Sequence, residues 1–256
     1  MPRALITGGT VGIGRAFADA LAARGYDLVL ASRDQAKLQA SASRLHDHYH
    51  VQVEVIPSDL TDPTAVDRLA QRLEDSTAPI DLLINNAGFA VHQSLLSRDL
   101  TLQRDAMQVM CWAVLQLSGA AARAMKERGH GAILNVTSSS AVITTGNYSA
   151  IKAWATVYTE ALSNELRGSG VKVMALLPGW VKTEFHSRAG VKAHNLPDFV
   201  WVDVDQLVHQ ALRDLDSGRV LSVPTARWAF AVWLGHVAPR RAIRAVSRAL
   251  SRSRGE

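Results

Sequence analysis

"TGGTVGIG", residues 7–14, follows a short apolar run, "ALIT" at 4–7, and leads into a helix-like stretch at 12–23. Glycine is the default residue of tight turns, so a cluster of it means little by itself. Between a strand and a helix it has a specific use. Gly8, Gly12 and Gly14 would permit a tight turn, close approach of a pyrophosphate and close helix packing, and open amides at a helix N-terminus favour phosphate. The spacing here is G-x-x-x-G-x-G rather than the more familiar G-x-G-x-x-G.

Moving outward from that turn, apolar runs at 27–32, 51–57, 80–86, 131–138, 171–178 and 219–223 alternate with helix-like stretches at 34–48, 63–76, 99–127, 147–167 and 203–216. Strand, helix, strand at this spacing predicts βαβ units and a parallel sheet, and strands apolar on both faces predict helices on both sides. The fold class is therefore α/β, a Rossmann-type doubly wound sheet, read as a single domain over residues 1–256. The chain of 256 residues, 48% apolar, is long enough for one large core.

Met1-Pro2-Arg3 runs directly into the first strand, which does not read as a secretion leader. The apolar stretch 228–239 falls short of the roughly 20 residues of a membrane span. Cys111 is the only cysteine, so no disulfide forms within the chain and a reducing compartment, the cytoplasm, is expected. The net charge of +5 is uneven. Residues 219–256 hold eight arginines and one glutamate, +7, which leaves −2 on the first 218.

Three further motifs carry chemistry. "NNAG" at 85–88 ends the fourth candidate strand, where its amides can tie neighbouring strands together and leave the chain close to a bound ribose. "NVTSS" at 135–139 supplies hydroxyls able to polarise a carbonyl. "YSAIK" places Tyr148 and Lys152 at i and i+4 on one helical face. A phenol ionises near pH 10, and an adjacent ammonium is expected to lower that value and make Tyr148 a competent proton donor or acceptor.

Taken in order, the glycine motif, "NNAG", the serine, "YSAIK" and "PGWVKT" (178–183) resemble the short-chain dehydrogenase/reductase family over about residues 3–185. The resemblance implies a seven-stranded sheet in the order 3-2-1-4-5-6-7 with the cofactor beyond the strands' carboxyl ends. It implies Tyr148 as general acid or base, Lys152 as the holder of the nicotinamide ribose, and Ser138 on the substrate oxygen, with Ser139 as the alternative because the spacing to Tyr148 is slightly short. The dinucleotide would lie against Gly8, Thr10, Gly12, Ile13, Gly14, Asp59, Leu60, Asn86, Ala87 and Gly88, and beyond them Pro178, Gly179, Val181 and Thr183. It also implies a homo-oligomer, a dimer or tetramer.

Cofactor choice is legible after the second strand, in "LASRD". Where NAD-specific relatives carry an acid there is Ser32, and Arg33 can pair with a 2′-phosphate, which points to NADP(H). Asp34 reads as a helix cap. The expected function is hydride transfer between NADP(H) and a ketone or secondary alcohol, with a hydrophobic ketone or acyl-chain substrate suggested by apolar residues in a lid at about 180–201. One departure is Met110, which stands where the family carries an asparagine that helps hold a relay water. It supports the alternative of an NADP-binding sensor or scaffold with little turnover. His186 and His194 have no convergent partners, and no metal site is read. A basic helical extension at about 239–256 gathers Ala242, Ile243, Val246, Ala249 and Leu250 on one side and arginines on the other, which permits peripheral contact with anionic lipid as well as docking on protein. No nucleic-acid motif accompanies it.

Overall fold

Ala4, Leu5 and Ile6 are wholly buried in β1 (Arg3–Thr7) because helices cover both faces of the strand. β2 (Asp27–Ser32), β4 (Leu82–Asn85) and the central residues of β5 (Gly131–Val136) and β6 (Val171–Leu176) share that environment, which accounts for their continuous apolar runs. β3 (Val53–Pro57) is the least buried of them and forms an edge. The computed structural model describes residues 1–181 and 200–252. Among these, seven strands form one sheet in the order β3-β2-β1-β4-β5-β6-β9, with β9 at Leu221–Ser222. This is the expected order. Each pairing is parallel, with Ile6 opposite Leu30 and Ile84, and Leu134 opposite Ile84 and Met174. Two short strands, β7 (Trp180–Val181) and β8 (Trp201–Val202), pair separately as a parallel ribbon at the margins of the expected lid, whose interior, 182–199, lies outside the described residues.

α1 (Gly12–Ala22), α2 (Gln35–Tyr49) and α7 (Val204–Asp216) pack on one face, with Phe17, Leu38, Leu45 and Leu207 buried against the sheet. α3 (Pro63–Glu74), α5 (Ala113–Arg128) and α6 (Gly146–Glu165) cover the other with Leu69, Leu117 and Ile151. Helix starts follow local chemistry. Asp34 accepts from Lys37 N at 3.1 Å, the expected cap of α2, and Asp62 caps α3 ahead of Pro63.

Two elements depart from expectation. The single helix read over 99–127 is α4 (Thr101–Met107), then a π-helical turn at Gln108–Trp112, then α5. Hydrophobic periodicity does not show one inserted residue in a buried helix, and such turns occur frequently at functional sites. A helix α8 (Ala226–Val237) fills the apolar stretch before α9 (Arg240–Arg252). It carries apolar side chains on almost every side, so no amphipathic pattern announced it.

Beneath the sheet's carboxyl ends lies a buried polar network. Asn85 Nδ2 donates to Ser118 Oγ (3.0 Å) and Asn135 Oδ1 (2.9 Å), and Asn135 Nδ2 donates to Thr159 Oγ1 (3.0 Å). The amides thus join β4 and β5 to α5 and α6. Truncating Asn135 leaves the buried Asn85 amide with Ser118 alone and removes the donor to Thr159, so Asn135→Ala is expected to cost about 2–4 kcal/mol in urea unfolding. A loss below about 0.5 kcal/mol would show that the network is dispensable.

Candidate active site

β1 and β4 are neighbours, and the chain leaves them toward opposite faces, which opens a crevice beyond their ends. Thr7 and Asn86 tie the two strand ends together. Thr7 Oγ1 accepts from Asn86 N (3.0 Å) and Ala87 N (3.1 Å), while Asn86 Nδ2 donates to Thr7 O (3.0 Å) and Gly8 O (3.2 Å). Gly8 adopts φ +67°, and a Cβ on Gly14 would collide with the Gly8 carbonyl oxygen. Val11 precedes α1 without a side-chain cap, and no acidic residue occupies the first turn, so the helix amides remain available to an anion.

The crevice is a cavity of about 730 Å³. Gly8, Thr10, Gly12 and Ile13 line it at α1; Ser32 and Arg33 after β2; Asp59 and Leu60 after β3; Asn86, Ala87 and Gly88 after β4. Gly14 does not line it. Its missing side chain leaves room for the Gly8 carbonyl and the Asn86 amide, a packing role. Thr183, like His186 and His194, lies outside the described residues. Ser32 Oγ is buried without a hydrogen-bond partner. Lys37, one helical turn beyond Arg33, also faces the cavity and pairs with Asp34 at 3.2 Å. Sequence reading missed Lys37, although its i+4 spacing from Arg33 was the available signal. A buried hydroxyl without a partner, the cations Arg33 and Lys37, the acids Asp34 and Asp59, a glycine cradle and uncapped helix amides together fit a dinucleotide.

At the other end Ser138, Tyr148 and Lys152 converge with Ser139, Pro178, Gly179 and Val181. Ser138 Oγ accepts from Ser140 N at 3.1 Å and is hydrogen-bonded to the Tyr148 side chain, which favours Ser138 over Ser139 at the reacting group. Lys152 is buried, donates to Val136 O at 2.8 Å, and stands 5.7 Å from the Tyr148 ring centre. Burial pushes Tyr148 up to about 12, against the pull of the Ser138 hydrogen bond, and lowers Lys152 to about 8. The expectation that Lys152 lowers the phenol is thus reversed here. Desolvation is the largest influence on both groups, and Lys152 donates to the Val136 carbonyl.

Met110 sits in the π-helical turn, buried, with its thioether against Gly88. A Cβ on Gly88 would lie 3.0 Å from Met110 Sδ and 3.8 Å from Lys152 Nζ. The side chain therefore fills the space beside the ammonium with sulfur and methylene. Gly179 has no room for a Cβ either, because the Trp228 indole of α8 packs on it. Phe89, Val91, His92 and Thr145 also line this end and were not singled out in the sequence. Among the described residues no group of His, Cys, Asp or Glu could hold a metal ion, and no helix is long and apolar enough to cross a membrane.

The sequence model of the family described as short chain dehydrogenase matches residues 2–193. The chain belongs to that family. As a member it is an oxidoreductase that binds a nicotinamide cofactor and acts on alcohol or carbonyl groups. It is similar to the 3-oxoacyl-(acyl-carrier-protein) reductase of Escherichia coli, 29% identical over 199 residues, which is 74% of this chain and 80% of that one. A short-chain dehydrogenase from Sphingobium yanoikuyae, solved in complex with NADPH, superposes with a TM-score of 0.85 at 34% identity over 94% of each chain. The bulky-bulky ketone specific alcohol dehydrogenase of Comamonas testosteroni superposes at 0.79, with 30% identity over 90% of each chain.

The electrostatics of Lys152 predict a pH effect. The folded chain binds this proton less readily than the unfolded chain, so between about pH 8 and 10.5 the unfolded state holds more protons and stability rises with pH. Tyr148 acts oppositely above pH 10, where the folded state retains a proton that the unfolded state loses. Lys152→Met should therefore be more stable than wild type at pH 7, by about 1–3 kcal/mol after loss of the Val136 hydrogen bond, and should lack the rise above pH 8. Urea melts across that range provide the measurement, and a Met variant less stable than wild type at pH 7 would overturn the assignment.

Proposed function

We propose that this chain is an NADP(H)-dependent carbonyl reductase, reversible as an alcohol dehydrogenase, acting on a hydrophobic ketone or an acyl-chain carbonyl. The observation that carries the reading is the end of the cavity after β2, where Arg33 stands beside the partnerless Ser32 hydroxyl and the nearby acid Asp34 is engaged by Lys37 and the α2 cap. A 2′-phosphate matches that end, whereas a 2′-hydroxyl calls for an acidic partner. The relative solved with NADPH supports it. Phe89, Val91, Val109 and Trp180 give the other end apolar walls, which suit a hydrophobic substrate, and the Comamonas enzyme's bulky ketones are consistent with such a site.

When bound, the nicotinamide supplies or accepts the hydride. Tyr148, a phenol held protonated at neutral pH, gives its proton to the substrate oxygen during reduction, and Ser138 hydrogen-bonds that oxygen. Lys152 holds the ribose hydroxyls. We assign the protein to the cytoplasm, in keeping with its single, unpaired Cys111. We also infer a homo-oligomer, a dimer or tetramer, because Trp112, Leu115 and Val157 expose apolar surface on the π-helical turn, α5 and α6.

NADPH should bind more tightly than NADH, and Arg33→Ala should weaken NADPH by about 10–100-fold while leaving NADH nearly unchanged. Tyr148→Phe should retain NADPH affinity and lose almost all ketone reduction. Equal affinities for the two dinucleotides in wild type would remove the NADP(H) assignment, and a Tyr148→Phe enzyme with full turnover would remove Tyr148 as the proton donor.

Met110 favours a second reading, a dinucleotide-binding sensor or scaffold of low turnover, because a thioether fills the place beside Lys152. NADPH oxidation with a panel of hydrophobic ketones separates the two. If the missing amide limits proton delivery, Met110→Asn should raise single-turnover reduction by about tenfold with little change in NADPH affinity. A stably folded Met110→Asn protein with an unchanged rate and pH profile would show that another group already serves the relay.

A further inference from the structure

The inner side of α8 is fixed on the protein. Trp228 packs on Gly179, Val232 is buried with Ala175 and Leu177, and Gly235 abuts Val142. Its outer side is apolar as well. Phe230, Trp233, Leu234 and Val237 are 62, 56, 47 and 57% exposed, and the rings of Phe230 and Trp233 stack at 5.7 Å. Their spacing of i, i+3, i+4 and i+7 makes one continuous strip.

After Pro239 the chain turns into α9, whose inner side is Ile243 and Ser247, with Ser247 Oγ accepting from Thr144 N at 2.9 Å. Of the two readings left open for this helix, lipid contact and docking on protein, its apolar face is thus partly taken up by the body of the protein itself. Arg240, Arg241, Arg244 and Arg248 are exposed, and among the described residues none pairs with an acid. Residues 226–252 contain six arginines and neither aspartate nor glutamate.

We propose that α8 and α9 form a docking surface for an anionic lipid bilayer, with the Phe230–Trp233–Leu234–Val237 strip in the interfacial layer and the α9 arginines on lipid phosphates. Apolar side chains joined to uncompensated cations match an anionic interface in both respects. A second copy matches only one of them, since a two-fold contact centred on these two helices would bring arginines against arginines. Docking in this manner sets the Gly179 loop and the Ser139–Val142 turn about one helix diameter, roughly 10 Å, from the lipid. A hydrophobic carbonyl could then be taken from the bilayer, a consequence that rests on the carbonyl-reductase reading, as the docking itself does not.

Sedimentation of the full chain with phosphatidylcholine vesicles, with and without phosphatidylserine, tests the proposal without any activity measurement. Wild type should pellet with the phosphatidylserine vesicles at low salt and remain in solution with phosphatidylcholine alone. The double variants Phe230→Ser/Trp233→Ser and Arg244→Glu/Arg248→Glu should each lower the partition coefficient by about tenfold or more, with unchanged melting temperature. Absence of wild-type binding to phosphatidylserine vesicles at low salt, or wild-type binding by both variants, overturns it. So does light scattering in which Phe230→Ser/Trp233→Ser breaks an oligomer while vesicle binding persists, since the strip is then a self-association face. Should that variant melt early, Arg244→Glu/Arg248→Glu, confined to exposed side chains, decides alone.

Discussion

The junction of Thr7 with Asn86 is the constraint on which the site depends. Where β1 and β4 end, two adjacent chains part company and their last backbone groups lose sheet partners, a cost the interior does not tolerate. One hydroxyl and one carboxamide replace those bonds at 3.0–3.2 Å and hold the crevice open. The same carboxamide stands where a side chain on Gly14 would go, so the start of α1 and the end of β4 are fixed relative to each other. The uncapped amides of α1 face the cavity because this junction is rigid.

Much of this was legible in advance, for identifiable reasons. Strands covered on both sides must be apolar throughout, so the succession of βαβ units could be read from the alternation of apolar runs and helical patterns, while the strand order came with the family resemblance, and Asp34 announced its helix through cap chemistry. Other features left no periodic trace. The π-helical turn inserts a residue without changing hydropathy, and α8 is apolar both where it packs and where it does not. Asn85 was read with Asn86 as part of one turn motif, yet it points into the network with Asn135 and Ser118, a division of labour that only the pleat of β4 decides. Lys37 lay in plain view as a helix residue, but its direction depends on how α2 leaves β2.

The charges at the site show why desolvation cannot be guessed from spacing. An i, i+4 pair of phenol and ammonium suggests mutual stabilisation of ions. Burial instead drives both toward their neutral forms, Tyr148 up and Lys152 down. Lys152 keeps one carbonyl as its hydrogen-bond partner and a thioether as its neighbour, so the fold carries a destabilised cation at the place where proton transfer would need it.

The match to the family ends at residue 193, while α7, β9, α8 and α9 follow. The cavity itself is lined by chain within the shared pattern, whereas the helices that pack behind its far end lie outside it, and Trp228 against Gly179 joins the two. Any exchange of C-terminal segments between relatives, by recombination or by design, meets its seam at this indole. A donor with a smaller residue there would leave a void behind the Gly179 loop, and any side chain at position 179 would collide with the indole of the incoming helix. The C-terminal helices and the body that carries the cavity can be inherited separately in such a chain, provided that one glycine and one tryptophan travel together.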